Sequence, residues 1–239
     1  MILLGSSVLP MLAVFTPARL GVVVLSVIAL ILCVAVHEFG HAYVADRLGD
    51  PLPRQQGRVT LNPLAHIDLV GTVLLPALMA LGVGVPLGWG KPVEWTGHPR
   101  YLTRRFHMRT IRLMVSVAGP AMNLLLALLV SVVLVVGVRL RLGGEGFFLV
   151  CQYLVRLNLG LMFFNLLPVP PLDGRSFLEY LPSALAGLRD FLMRYGAFVF
   201  LALVLLPSMG GGLSPLGYIM LPFTWLTGKY MELLLWLAL

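Results

Sequence analysis

Val34-Ala35-Val36-His37-Glu38-Phe39-Gly40-His41-Ala42 is the stretch whose reading decides the fold: an H-E-x-x-H pentapeptide that closes a long apolar run. On a helix of ~3.6 residues per turn, His37 and His41 stack on one face with Glu38 beside them. Two imidazoles can then hold one zinc ion while the carboxylate reaches a water bound to it. With five His in 239 residues and equally few Glu, chance would produce this pattern roughly 0.002 times per chain. The competing reading is two histidines satisfied by local hydrogen bonds.

Working outward, the chain is 59% hydrophobic and only 11% charged, with a mean hydropathy of +0.95. That is far from a soluble domain and places it in a lipid bilayer. Residues 20–36, 69–90, 113–138, 157–172 and 195–228 carry no charged side chain. Several of these runs reach the ~20 residues a spanning helix needs. The expected fold is an all-α polytopic bundle of about five to six transmembrane segments, with a re-entrant segment and a small membrane-associated β patch. Residues 1–239 form a single domain, with a core at about 20–175 and C-terminal helices at about 176–239.

The net charge of +7 comes from cations scattered between apolar runs. No aromatic-interleaved basic face is present to follow a phosphate backbone, so nucleic acid is excluded as a partner. Cys33 and Cys151 lie in apolar context and read as buried thiols, Cys33 being a remote candidate for a soft metal ligand. Residues 1–18 are broken by Gly5 and Pro10 and lack a basic n-region and cleavage site, so they read as an interfacial or incompletely crossing segment.

A helix is expected from Leu20 to about Arg47, stopped by Gly49-Asp50-Pro51. Gly57 to Pro63 alternates polar and apolar residues, and Lys91-Pro92-Val93-Glu94-Trp95 is a second extended candidate; together they suggest the β patch. Further helices are expected at about 109–138 and 147–167, on the surface at 176–190, and at about 191–207 and 213–236, the last two joined at Gly210-Gly211-Gly212.

Residues 69–84 pose a question of parity. A single crossing there would put Asp173 on the opposite face from His41. Re-entry puts both on one face and places twelve basic residues on that side against three opposite, whereas a single crossing gives ten against five. The sharper asymmetry favours re-entry with the Arg-rich side, and the zinc, facing the cytoplasm.

Three polar residues stand out in apolar surroundings. Asn123, in Ser116-Val117-Ala118-Gly119-Pro120-Ala121-Met122-Asn123, either bridges helices or points at the reaction centre to bind substrate backbone or stabilise an oxyanion. Arg156 either snorkels or faces a wet cleft. Asp173 follows Pro168-Val169-Pro170-Pro171-Leu172 and either caps a new helix or supplies the third protein ligand that catalytic zinc usually takes.

H-E-F-G-H at 37–41, A-G-P-x-x-N at 118–123 and F-N-L-L-P-V-P-P-L-D-G at 164–174, in this order, resemble the site-2 protease family of intramembrane zinc metalloproteases. The likeness is greatest to the minimal branch without PDZ or CBS domains, which shares Asn62 to Asp68 and Gly88 to Val93. The resemblance implies one zinc held by His37, His41 and Asp173, Glu38 as general base, and Asn123 near the active centre. It also implies a multi-pass cell-membrane protein whose substrate is a membrane protein with a transmembrane helix. After Lys91-Pro92-Val93 the family pattern leads one to expect proline and asparagine, where this chain has Glu94 and Trp95. The rival function is a proton or ion transporter built on the same His/Glu/Asp cluster.

Overall fold

The computed structural model describes residues 17–77, 88–98, 102–206 and 215–238. The expectations for the first sixteen residues, for the tip of the 69–84 run and for the triple-glycine turn lie outside the described residues.

Helix α1 (Pro17–Arg47) carries the H-E-x-x-H motif in its last third. A single turn, α2 (Leu52–Gln55), follows. The shared Asn62–Asp68 stretch then works as a chain of caps. The Asn62 side chain accepts from Leu64 N–H at the head of a 3-10 turn, Pro63–Ala65. Asp68 accepts from the N–H groups of Val70 and Gly71 to start a π-helical turn, Leu69–Leu74. These side chains satisfy donors that a helix start leaves without partners. The chain is back beside that turn at Trp89, whose N–H donates to the Gly71 carbonyl at 3.0 Å while its own carbonyl accepts from Thr72 Oγ1 at 2.7 Å.

Helix α3 (Met108–Arg139) is the central element. It packs against both α1 and α4 (Glu145–Asn165). Next come two 3-10 pieces, Asp173–Tyr180 and Ser183–Leu185, then α5 (Ala186–Leu205) and α6 (Pro215–Ala238). Ala127, Leu134, Cys151, Val155, Leu159, Met231 and Leu234 form one core where α3, α4 and α6 meet. Ala45, Leu48, Leu102, Ile111 and Val115 form another at the motif end of α1.

The α1–α3 crossing is close because both helices are bare there. A Cβ on Gly40 would lie 2.6 Å from the Ala118 carbonyl oxygen, and one on Gly119 would lie 2.7 Å from His37 Cε1. Only glycine permits such an approach.

Among the described residues three helices, Leu20–Arg47, Met108–Arg139 and Glu145–Asn165, are long and apolar enough to cross a membrane. Helix α5 carries Arg189, Asp190 and Arg194, and α6 carries Lys229 and Glu232. Two expectations need correction. No strand occurs among the described residues; the presumed β edges are bent and extended chain joined by side chains, because Pro63 and Pro92 have no N–H to give a ladder. The surface helix expected at 176–190 is broken at Leu181, which adopts φ −63°, ψ 139° ahead of Pro182, the conformation a following proline imposes.

Candidate active site

Helix α1 places His37 and His41 one turn apart with both imidazoles buried against α3. Each ring has one nitrogen committed. His37 Nδ1 lies 2.6 Å from Asn123 Oδ1, and His41 Nδ1 lies 2.7 Å from the Val115 carbonyl oxygen. Both partners can only accept, so both Nδ1 atoms carry the hydrogen and both Nε2 atoms expose a lone pair.

Those lone pairs converge on a third. Asp173 Oδ2 lies 3.1 Å from His37 Nε2 and 3.2 Å from His41 Nε2, and the two Nε2 atoms are 3.1 Å apart. Asp173 Oδ2 is buried and receives no hydrogen bond. Three electron pairs aimed at one point repel one another unless a cation lies between them. A tetrahedral zinc with ligand bonds of about 2.0–2.1 Å sets neighbouring ligand atoms about 3.3 Å apart, so the triangle fits that ion.

Asp173 reaches this point because its segment is clamped to α3. Ser176 Oγ meets Ser116 Oγ at 2.6 Å, and Glu179 pairs with Arg112 at 3.4 Å. Gly174 sits against the carbonyls of Leu166 and Leu167 with no room for a Cβ. The capping position of this turn falls on Leu172, which leaves the Asp173 carboxylate for the imidazoles.

Asn123 is fully buried with both ends of its amide engaged. Its Oδ1 accepts from His37, and its Nδ2 donates to the Cys33 carbonyl at 3.2 Å and to Asn158 Oδ1 at 2.9 Å. It therefore ties α1, α3 and α4 together behind a ligating imidazole. Cys33 accepts from Asn158 Nδ2 at its sulfur and stands outside the ligand triangle. Glu38 lies on the adjacent face of α1, where its Oε2 accepts from Val93 N–H at 3.1 Å.

Residues 25–140 match the family described as Peptidase family M50. "Putative zinc metalloprotease YwhC" of Bacillus subtilis is 38% identical over 192 residues, covering 76% of this chain and 80% of the relative. The chain belongs to peptidase family M50, the site-2 protease family. "Putative zinc metalloprotease Rip2" of Mycobacterium tuberculosis (strain ATCC 25618 / H37Rv) is 33% identical over 203 residues, 81% of this chain and 71% of the relative. The Rip2 of Mycolicibacterium smegmatis is 33% identical over 164 residues, 66% of this chain and 58% of the relative. No solved structure matches. This M50 chain is thus a membrane-associated zinc metalloprotease of the hydrolase class.

Sequence reasoning missed three residues of this M50 centre. Gly40 lets α1 touch α3 at Ala118, and a glycine inside the H-E-F-G-H pentapeptide was the available signal. Asn158, in the middle of α4, is the far anchor of Asn123. Arg58, one cation among many in the sequence, is 4% exposed, and no local pattern announces its burial.

Proposed function

We propose that this chain is an intramembrane endopeptidase that hydrolyses a peptide bond in or near the transmembrane helix of a membrane-protein substrate. The observation that carries the reading is the convergence of His37 Nε2 and His41 Nε2, from an apolar helix long enough to cross a membrane, with Asp173 Oδ2, with Glu38 adjacent in sequence to a histidine of that set. A proton or ion path has no need of three lone pairs aimed at one point.

His37, His41 and Asp173 would hold one zinc, which when bound acts as a Lewis acid toward the scissile carbonyl and acidifies a water. Glu38 takes the water proton and passes it to the leaving amine, the general-base and general-acid roles of a single carboxylate. Val93 N–H fixes one oxygen of Glu38 and leaves the other for that transfer. Asn123 and the Val115 carbonyl hold the imidazoles in the tautomer that exposes Nε2.

For topology, the return of the chain to Gly71 at Trp89 supports re-entry of the intervening segment. Helix α6, about 36 Å long at 1.5 Å per residue, ends beside α3, where the Leu237 carbonyl accepts from Arg139 Nε; this supports a further crossing despite its charges. The reading completes a multi-pass cell-membrane protein with its metal centre toward the cytoplasm.

Reconstitution in liposomes with single-span candidate substrates tests the function. Wild type cleaves, Glu38→Gln loses at least ~100-fold in rate while keeping its zinc, and a chelator abolishes cleavage. Equal cleavage by wild type and Glu38→Gln refutes the role given to Glu38.

A further inference from the structure

The segment that contacts Glu38 has no strand pairing to hold it. Residues 88–98 lack regular structure, yet Val93 presents its N–H to Glu38 Oε2 at 3.1 Å. An unsupported extended segment would not keep a donor in place.

Beyond Val93 the segment is held by Asp50, whose Oδ2 accepts from Thr96 and Gly97 N–H; immediately before Val93 the support is Arg58. This side chain is buried, 4% exposed, and outside the spanning helices. Its Nη1 donates to the Ala65 carbonyl, and its Nη2 donates to the carbonyls of Lys91 and, at 3.0 Å, Pro92. The loop that carries it is closed on itself by His66, whose Nε2 lies 2.9 Å from the Thr60 carbonyl oxygen. That loop grips the same segment a second time, through Lys91 N–H donating to the His66 carbonyl at 2.8 Å. Gly90 completes the fit, since a Cβ there would collide with Val34 and lie 3.3 Å from Glu38 Cγ.

Burying a guanidinium is expensive unless its donors are met. Here they are met by backbone carbonyls of two segments, the task for which arginine's rigid fork suits it and a lysine does not. Burial lowers the Arg58 pKa from its ordinary value, and the carboxylates of Glu38 and Glu94 offset part of that shift.

We propose that Arg58 is a positioning residue for the reaction: it clamps Lys91 and Pro92 so that Val93 N–H holds the Glu38 carboxylate in its working orientation. The proposal rests on the endopeptidase reading above. It assigns Arg58 no contact with substrate and no part in holding the ion.

The test is a double-mutant cycle in liposomes, with wild type, Arg58→Met, Val93→Pro and the double variant. Val93→Pro removes the N–H through which Arg58 is said to act. Arg58→Met is expected to lower kcat ~10- to 100-fold with KM within about twofold and zinc content unchanged. The double variant is expected to be no slower than Val93→Pro by more than about twofold, because the two changes break one path. Arg58→Lys is expected not to restore kcat. Multiplying losses in the double variant, a loss carried by KM, or full activity of Arg58→Met overturns the proposal.

A second readout needs no catalysis. Amide hydrogen exchange at Val93 is expected to rise about tenfold or more in Arg58→Met, with exchange along α3 unchanged. Unchanged exchange at Val93 overturns the clamp, and so does exchange raised throughout the protein, which marks general unfolding. If wild type and Glu38→Gln prove equally inactive while Val93 exchange still depends on Arg58, the endopeptidase reading fails and the clamp stands.

Discussion

At the scale of the residue, the metal centre is defined by which nitrogen of each imidazole is occupied. Asn123 Oδ1 takes the Nδ1 hydrogen of His37, and its amide nitrogen is spent on Cys33 and Asn158. Nothing on this side chain is left to bind a substrate oxyanion, which was one of the two roles its sequence context allowed. Asn123→Ala should therefore weaken zinc binding ~10- to 100-fold, the usual cost of losing the group that orients a ligand. Asn123→Asp, which keeps an acceptor for His37, should lose less. Competition with a chromophoric chelator measures both. A fall in kcat at unaltered zinc affinity would return Asn123 to the oxyanion role. The approach of His37 to His41 was legible because the two lie one helical turn apart. Asp173 was legible because a metal needs a third ligand and the proline-rich corner offered one. Arg58 was not, because its partners at 65, 91 and 92 share no pattern with it in the chain.

At the scale of the element, two helices must touch for the site to exist. A methyl on Gly119 would collide with His41 and lie 2.7 Å from His37 Cε1, whereas Gly160 in α4 has nothing within 4 Å of the same position. Gly119→Ala should push the imidazoles from their triangle, cut zinc occupancy of the purified protein at least ~10-fold and destabilise it by about 1–3 kcal/mol, the range for overpacking. Gly160→Ala should keep full occupancy and lose no stability, since alanine is the better helix former. Metal analysis and thermal unfolding in detergent read both; equal occupancy in the two variants would mean that α1 and α3 are not held as closely as the site requires. The long apolar runs gave α1, α3 and α4 within a few residues of their bounds, because hydropathy reports directly on what lipid selects. The 57–63 and 91–95 segments misled, since alternation of polar and apolar residues says nothing of whether a partner strand exists. There the pairing is done by the Arg58 side chain and single backbone bonds.

At the scale of the whole molecule, a ligand triad drawn from both ends of the fold constrains how the chain threads the bilayer. Helix α1 ends on the side where Thr103 N–H donates to the Leu48 carbonyl at 2.8 Å, so α3 begins on the side where α1 stops. Helices α3 and α4 then leave and return, bringing Asp173 back to His41. The re-entry proposed above agrees with this threading and with the Gly71–Trp89 hydrogen bond. Surface labelling decides this. Both native cysteines are buried, so an added one at an exposed position dominates the signal. A membrane-impermeant maleimide applied to intact cells should label Leu142→Cys, in the α3–α4 connection, and leave His98→Cys unlabelled; inverted vesicles should give the reverse. Labelling of His98→Cys from outside the cell would turn the Arg-rich face, and the metal centre with it, away from the cytoplasm. Labelling of Leu142→Cys and His98→Cys from the same side would break the parity argument itself, because α3 could no longer be a crossing that separates them.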